Sequence, residues 1–168
     1  MRILIVSFLC LFLSHVYGQG YAPAGSRSMS MANASVAFND VWAYHNNPGA
    51  VADVDHFSVA LSYENRFLLK EMQNQAFAVA IPLKIGVVSI GGHFYGYSQY
   101  RSIKAGAGYS LKLSEKLYAG VQLNYQGLQL SNNYGAKNTL TAEAGIYAKI
   151  TEKWKLGISV FNLGRAKL

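Results

Sequence analysis

From residue 55 onward, apolar side chains recur at every second position, and this pattern strongly limits how the chain can fold. In residues 101–113, for example, Ile103, Ala107 and Leu111 alternate with small, polar or cationic residues. Because successive side chains of a β-strand point to opposite faces, a period of two predicts strands with one apolar and one polar face. The alternation occurs in seven segments and predicts an all-β, antiparallel, up-and-down sheet. These segments are residues 57–66, 77–81, 88–95, 101–113, 117–126, 139–150 and 154–160.

The links between these segments alternate in length. Short turns are predicted near residues 82–84, 113–116 and 151–153. Longer polar links are predicted through residues 68–73, 98–100 and 131–138. Tight turns at one end of a sheet and larger loops at the other are typical of outer-membrane β-barrels.

Residues 1–18 have the pattern of a secretory signal peptide, with cleavage expected before Gln19. Arg2 precedes an apolar run from Ile3 to Val16, and this run is too short to span a hydrocarbon core of about 30 Å. Cys10, the one cysteine of the chain, lies in this run, so the mature protein is expected to contain no disulfide. After residue 20 there is no run of about 18 apolar residues that predicts a helical membrane span.

The formal net charge is +7, but the Lys and Arg residues are scattered rather than clustered. Scattered cations are typical of solvated turns, so no nucleic-acid partner is predicted.

The apolar face contains many alanines, whereas the core of a soluble sheet needs bulky side chains to reach native packing density. Aromatic residues lie toward the strand ends, as in the girdles that flank a lipid-facing band. We therefore predict that this face contacts lipid, and that the chain is a transmembrane β-barrel in the bacterial outer membrane. The predicted lipid-interface aromatics are Tyr63, Tyr109, Tyr125 and Trp154.

The opposite face is polar and is predicted to line a wet or plugged lumen. Its candidate lumen-lining residues are Arg66, His93, Lys104, Gln122, Asn124, Glu143 and Lys149. Glu143 is expected to pair with Lys149 or Lys104. Such a pair either selects solutes or only keeps a polar interior soluble.

Residues 19–54 differ from the rest, because they are rich in small residues and weakly patterned. The turn signal Asn47-Pro48-Gly49 lies near their end. At most, a short strand over Ala34–Phe38 and a helical turn near Val41–Tyr44 are predicted. We expect a hatch-like segment packed inside the barrel mouth, with an eighth strand as the alternative.

Ten residues of this segment resemble the amino-terminal signature of the FadL-like outer-membrane barrels of Bacteroidetes, including the PorV/PorQ group. The matching residues are Gly25, Arg27, Met31, Ala34, Val36, Ala37, Asp40, Trp42, Asn47 and Pro48. Phe161–Gly164 (FNLG) also resembles a recurrent element of that group. Where those proteins commonly have Asn-Pro-Ala-Gly, this chain has Asn47-Pro48-Gly49-Ala50. The resemblance implies a barrel of about 14 strands with the amino-terminal segment in the lumen as a hatch.

Seven strands leave two open edges, and unpaired backbone groups in lipid cost several kcal/mol each. Three arrangements remove this cost: a longer barrel of which this chain is the front part, closure by an eighth strand, or association of copies. The longer barrel is favoured, because a barrel of about eight strands has an interior filled by its own side chains.

No catalytic site is predicted. His93 has no metal-ligand spacing with His45 or His56, and there is no Gly-x-Ser-x-Gly elbow, phosphate-binding loop or dinucleotide fingerprint. We therefore expect no enzyme activity and no cofactor. The predicted function is porin-like transport or uptake of a small, possibly apolar, solute. Alternatives are a PorV/PorQ-like secretion accessory that docks exported proteins, and a structural membrane anchor.

Overall fold

The computed structural model describes residues 24–130 and 135–166. The predicted signal peptide, residues 1–18, lies outside these residues. Among the residues described, no helix is long and apolar enough to cross a membrane.

Seven strands form one antiparallel sheet in sequence order, and the sheet curls into a half-barrel. The prediction of an all-β antiparallel sheet is therefore confirmed. The strands are β1 (Ser58–Asn65), β2 (Gln73–Pro82), β3 (Val87–Tyr97), β4 (Tyr100–Lys112), β5 (Leu117–Leu130), β6 (Ala136–Lys149) and β7 (Lys155–Val160).

The links at one end of the sheet are short, as predicted, and span residues 83–86, 113–116 and 150–154. At the other end, β1 and β2 are joined by two 3-10 helices, Arg66–Leu68 and Lys70–Met72. The predicted longer link at residues 98–100 is wrong, because Tyr97 pairs with Tyr100 across a two-residue turn. Polar residues around this turn continue both strands, and Gly96 has a φ of 106° that few other residues adopt at low cost.

The two faces of the sheet differ in polarity and in exposure. We call the face with Leu61, Leu123 and Leu140 the outer face; these three side chains are exposed. The inner face carries the polar side chains of the strands and is covered by residues 24–54. Lys104, Gln122 and other polar residues of the inner face are buried, so the usual arrangement of a soluble protein is reversed.

Residues 24–54 contain two short helices, α1 (Ser26–Ser30) and α2 (Ala43–Asn46), followed by a 3-10 helix, Pro48–Asp53. The predicted strand at Ala34–Phe38 is wrong, because these residues form turns such as the Phe38 N to Ser35 O bond of 3.0 Å. No residue between 24 and 54 belongs to a strand, so the eighth-strand alternative is not found in that range.

The hydrophobic core lies between residues 24–54 and the inner face of the sheet. Tyr44 and Val51 of the segment pack with Ala78, Tyr118 and Tyr147 of the strands. The Tyr118 and Tyr147 rings are 5.5 Å apart. The segment therefore supplies a large part of the apolar surface that stabilises the half-barrel.

Candidate functional site

The contact surface between residues 24–54 and the inner face is the candidate functional site. Cross-strand pairing places Gly120 of β5 directly opposite Gly145 of β6. A Cβ atom at Gly120 would collide with the Pro48 carbonyl, and one at Gly145 would lie 2.9 Å from Gly49 N. Two adjacent glycines thus form a seat on which the Asn47-Pro48-Gly49 turn lies against bare backbone.

Asn47 is completely buried and uses its side-chain amide fully. Its Oδ1 accepts from Gly49 N (3.0 Å), which starts the 3-10 helix, and its Nδ2 donates to Val36 O (2.8 Å) and to Ile146 O (3.0 Å). Ser110 Oγ donates to Pro48 O at 2.6 Å. The turn is therefore fixed both to its own segment and to strands β4 and β6.

Helix α2 rests on a second small-residue position. The Tyr44 ring packs where a side chain at Gly91 would otherwise lie, and its hydroxyl donates to Gly91 O at 3.0 Å. Burial raises the pKa of Tyr44 above its usual range, so this hydroxyl stays protonated as a donor. His45 Nε2 donates to Phe77 O at 3.1 Å.

An ion-pair network joins the segment to the turn end of the sheet. Lys149 and Lys155 lie directly opposite each other on β6 and β7. Asp53 Oδ1 accepts from Lys149 Nζ and its Oδ2 accepts from Asn39 Nδ2, both at 2.6 Å. Asn39 Oδ1 in turn accepts from Lys155 Nζ at 3.2 Å. The carboxylate of Asp53 therefore reduces the repulsion between the facing ammonium groups of Lys149 and Lys155.

The centre of the inner face holds a buried ion pair. Lys104 Nζ of β4 lies 2.5 Å from Glu143 Oε1 of β6, and the pair crosses over β5. The Lys104 side chain is 6% exposed and that of Glu143 is 1% exposed. Beneath the pair, Gln122 Nε2 donates to Asn124 Oδ1 at 2.7 Å. These two amides, Lys104 and Glu143 form the polar centre of the inner face.

Several buried atoms in and around the polar centre have no hydrogen-bond partner in the part of the chain that the structure describes. They are Ser89 Oγ, His93 Nε2, Gln122 Oε1, Asn124 Nδ2, Thr141 Oγ1 and Glu143 Oε2. A buried unpartnered group costs about 1 to 3 kcal/mol. These atoms therefore have a desolvation cost that no hydrogen bond offsets within the described residues.

The structure brings together five of the seven candidate lumen-lining residues: His93, Lys104, Gln122, Asn124 and Glu143 all lie buried around the polar centre. Lys149 lies at the turn end and pairs with Asp53, so the partner of Glu143 is Lys104. Arg66 lies beyond β1 in a 3-10 helix, where its Nε contacts Glu64 Oε1 at 2.8 Å.

Of the four candidate interface aromatics, Tyr63, Tyr109 and Tyr125 are exposed on the outer face of their strands, and Trp154 is exposed just before β7. Tyr109 also donates its hydroxyl to Ile85 O at 2.6 Å. Asn47, Pro48 and Gly49, the candidate hatch motif, are buried in the seat described above.

Sequence reasoning missed the strand residues that receive the segment, namely the glycines at 91, 120 and 145 and Ser110, and it also missed Asp53, the residue of the segment that pairs with Lys149. The one signal in the sequence is glycine at inward positions of neighbouring strands, which is equally compatible with open lumen space. Among the described residues, no group of three or more His, Cys, Asp or Glu side chains forms a possible metal site.

No family model, curated protein or solved structure matches this chain.

Acidification is expected to loosen helix α2 through His45. Burial, with the nearby positive charge of Lys104, lowers the pKa of His45 to about 3. Because an unfolded histidine has a pKa of about 6.5, the unfolded chain binds more protons between these two values, and stability is lost as pH falls. The expected loss from pH 7 to pH 4 is about 3 kcal/mol of unfolding free energy.

The measurement is urea unfolding at both pH values for the unmodified protein and for His45→Gln. Glutamine keeps an N–H donor but cannot titrate, while all carboxylates remain in both proteins. An identical pH dependence in the two proteins would contradict the assignment to His45.

Proposed function

We propose that this chain forms part of the wall of an outer-membrane β-barrel, with residues 24–54 as a hatch that plugs the lumen and controls passage of a small hydrophilic solute. The observation that carries the proposal is the reversed polarity of the sheet: exposed apolar side chains outside and buried polar side chains inside. The resemblance of the amino-terminal residues to FadL-like barrels agrees with it.

The outer face supports contact with hydrocarbon. Leu123, at the centre of β5, is 68% exposed, and its cross-strand neighbours are Ala107 and Ala142. A sheet face of exposed apolar side chains is rare on soluble monomers, because each exposed Å² of apolar surface costs about 25 cal/mol in water. Lipid removes that cost without any partner protein.

The edges of the sheet support a longer barrel. Among residues 24–130 and 135–166, strands β1 and β7 each pair with a neighbouring strand on one side only. Seven antiparallel strands leave these two edges running in the same direction, so antiparallel closure requires an odd number of further strands. A second copy in the same orientation would meet β7 in parallel. One added strand would make an eight-stranded barrel, whose lumen is too narrow for residues 24–54. We therefore infer several additional strands.

Features of the inner face favour two parts of the proposal, namely that residues 24–54 can be displaced and that the solute is polar. The unpartnered atoms around Glu143 would gain water if residues 24–54 moved, and this gain offsets part of the packing and hydrogen bonding that the movement would break. The exposed path would then be lined by Lys104, Gln122, Asn124 and Glu143, which favour a hydrophilic solute over an apolar one.

An arginine at the middle of the outer face tests the proposal. Leu123→Arg is expected to lower folding stability in phospholipid vesicles by roughly 2 to 4 kcal/mol, because the cation would lie near the bilayer midplane. Leu117→Arg, on the same face of the same strand but at the turn end, is expected to lower it by about 1 kcal/mol or less.

The measurement is urea titration of the complete barrel in vesicles, with electrophoretic mobility as the readout of folding. Equal effects at positions 117 and 123 would exclude a lipid-facing band on β5.

A further inference from the structure

The link between β1 and β2 carries three consecutive exposed apolar side chains. Phe67 is 82% exposed, Leu68 is 88% exposed and Leu69 is 48% exposed. Phe67 and Leu68 also have φ values of 56° and 57°, a left-handed conformation that is unfavourable for side chains with a Cβ. We call Phe67–Leu69 the apolar tip. Three apolar side chains are therefore exposed, and no packing contact among the described residues offsets the cost of the left-handed backbone at Phe67 and Leu68.

The end of the sheet that carries the apolar tip has more cations than anions. Arg66 and Lys70 flank it in sequence, and Arg101 and Lys137 begin strands β4 and β6 at the same end of the sheet. All four side chains are exposed. Two anions lie near the tip: Glu64, which is paired with Arg66 at 2.8 Å, and Glu71, which follows Lys70 in the same 3-10 helix. The four cations outnumber these two anions, so this end of the sheet has a net positive charge that suits a negatively charged surface.

The apolar tip also follows the end of β1, whose outer-face side chains are exposed. Leu61 and Tyr63 are exposed on the outer face of β1, and the tip begins a few residues after Tyr63. An apolar segment beyond an aromatic position, bordered by Arg and Lys, has the composition of a segment that enters the interfacial layer of a membrane.

We propose that Phe67–Leu69 inserts into the interface of an anionic bilayer while Arg66 and Lys70 bind its headgroup phosphates. This inference rests on the proposed membrane location of the sheet. It adds a specific lipid contact that fixes the depth of the β1–β2 edge. Charge near an anionic surface gives this contact its dependence on lipid composition.

Spin labels at three positions test the inference in the complete barrel that contains this chain, with Cys10→Ser. The labels are attached at Leu68→Cys in the tip, at Leu123→Cys on the outer face, and at Ser114→Cys in an exposed turn at the opposite end. The readout is the ratio of collisions with oxygen to collisions with a neutral, water-soluble nickel chelate. The vesicles contain phosphatidylethanolamine with or without phosphatidylglycerol.

In anionic vesicles, the label at 68 is expected to collide more often with oxygen than with the nickel chelate, like the label at 123 and unlike the label at 114. This protection from the chelate is expected to be lost at 68 when phosphatidylglycerol is omitted, or when Arg66→Gln and Lys70→Gln are introduced together. A label at 68 that resembles 114 while 123 stays protected overturns the inference, favours a protein partner for the tip, and leaves the proposed function intact. Protection at 68 that does not depend on anionic lipid overturns the headgroup contact. A water-exposed label at 123 overturns the proposed function itself.

Discussion

Replacing Gly145 with valine is expected to lower the free energy of unfolding by roughly 4 kcal/mol, because overpacking is combined with the breaking of hydrogen bonds. A Cβ at this position would collide with the side chain of Asn47 and lie 2.9 Å from Gly49 N. Asn47 cannot move away without breaking its bonds to Val36 O and Ile146 O. The valine is therefore expected to displace residues 47–49 from the glycines at 120 and 145, whereas a change in strand propensity alone would have a much smaller effect.

Ala144→Val is the matched control, since residue 144 is the neighbour of Gly145 in sequence and points to the outer face. Ala144 lies in a shallow apolar depression of the outer face with Tyr109 and Val160, where added methyl groups do not meet residues 24–54. Its expected effect on stability is within about 0.5 kcal/mol. The readouts are urea unfolding, proteolysis of residues 24–54, and the swelling rate of vesicles in a small hydrophilic solute. Gly145→Val should increase both proteolysis and swelling. Equal stability losses in the two variants would contradict a seat at Gly145.

The sheet could be predicted because its information is local. A period of two is visible in any eight residues, and the two faces of each strand follow from it. The two-residue turn at Ser98 and Gln99 could not be located in this way, since Tyr95–Ser102 is polar enough to resemble a loop and only pairing shows where the chain reverses.

The hatch seat could not be predicted because it depends on residues far apart in sequence. Asn47 and Ile146 are 99 positions apart, and no local pattern indicates that the amide of one reaches the carbonyl of the other. A glycine on an inward face is equally compatible with open lumen and with a covering backbone. The sequence leaves the partner of Glu143 open for the same reason, because Lys104 and Lys149 lie on the same face as Glu143. Only the structure shows that Lys149 pairs with Asp53, which leaves Lys104 as the partner of Glu143.

Breaking the buried pair at the polar centre is expected to have a similarly large effect. Glu143→Gln leaves the Lys104 ammonium buried without a counter-charge, and Lys104→Met leaves the Glu143 carboxylate in the same state. Each single variant is expected to lose roughly 3 to 5 kcal/mol of unfolding free energy. The double variant removes both charges at once and is expected to lie within about 1 kcal/mol of the unmodified protein, because a neutral pair carries no comparable desolvation penalty.

A double-mutant cycle, measured by urea unfolding in vesicles, separates this account from an independent effect of each side chain. Additive effects of the two substitutions would contradict a buried pair. Glu64→Gln is the control, because its partner Arg66 is exposed and such a pair is worth at most about 1 kcal/mol. A large loss at Glu64 with none at Glu143 would mean that water reaches the inner face and that residues 24–54 do not close it. The double-mutant cycle of Lys104 and Glu143 therefore tests whether residues 24–54 exclude solvent from the polar centre.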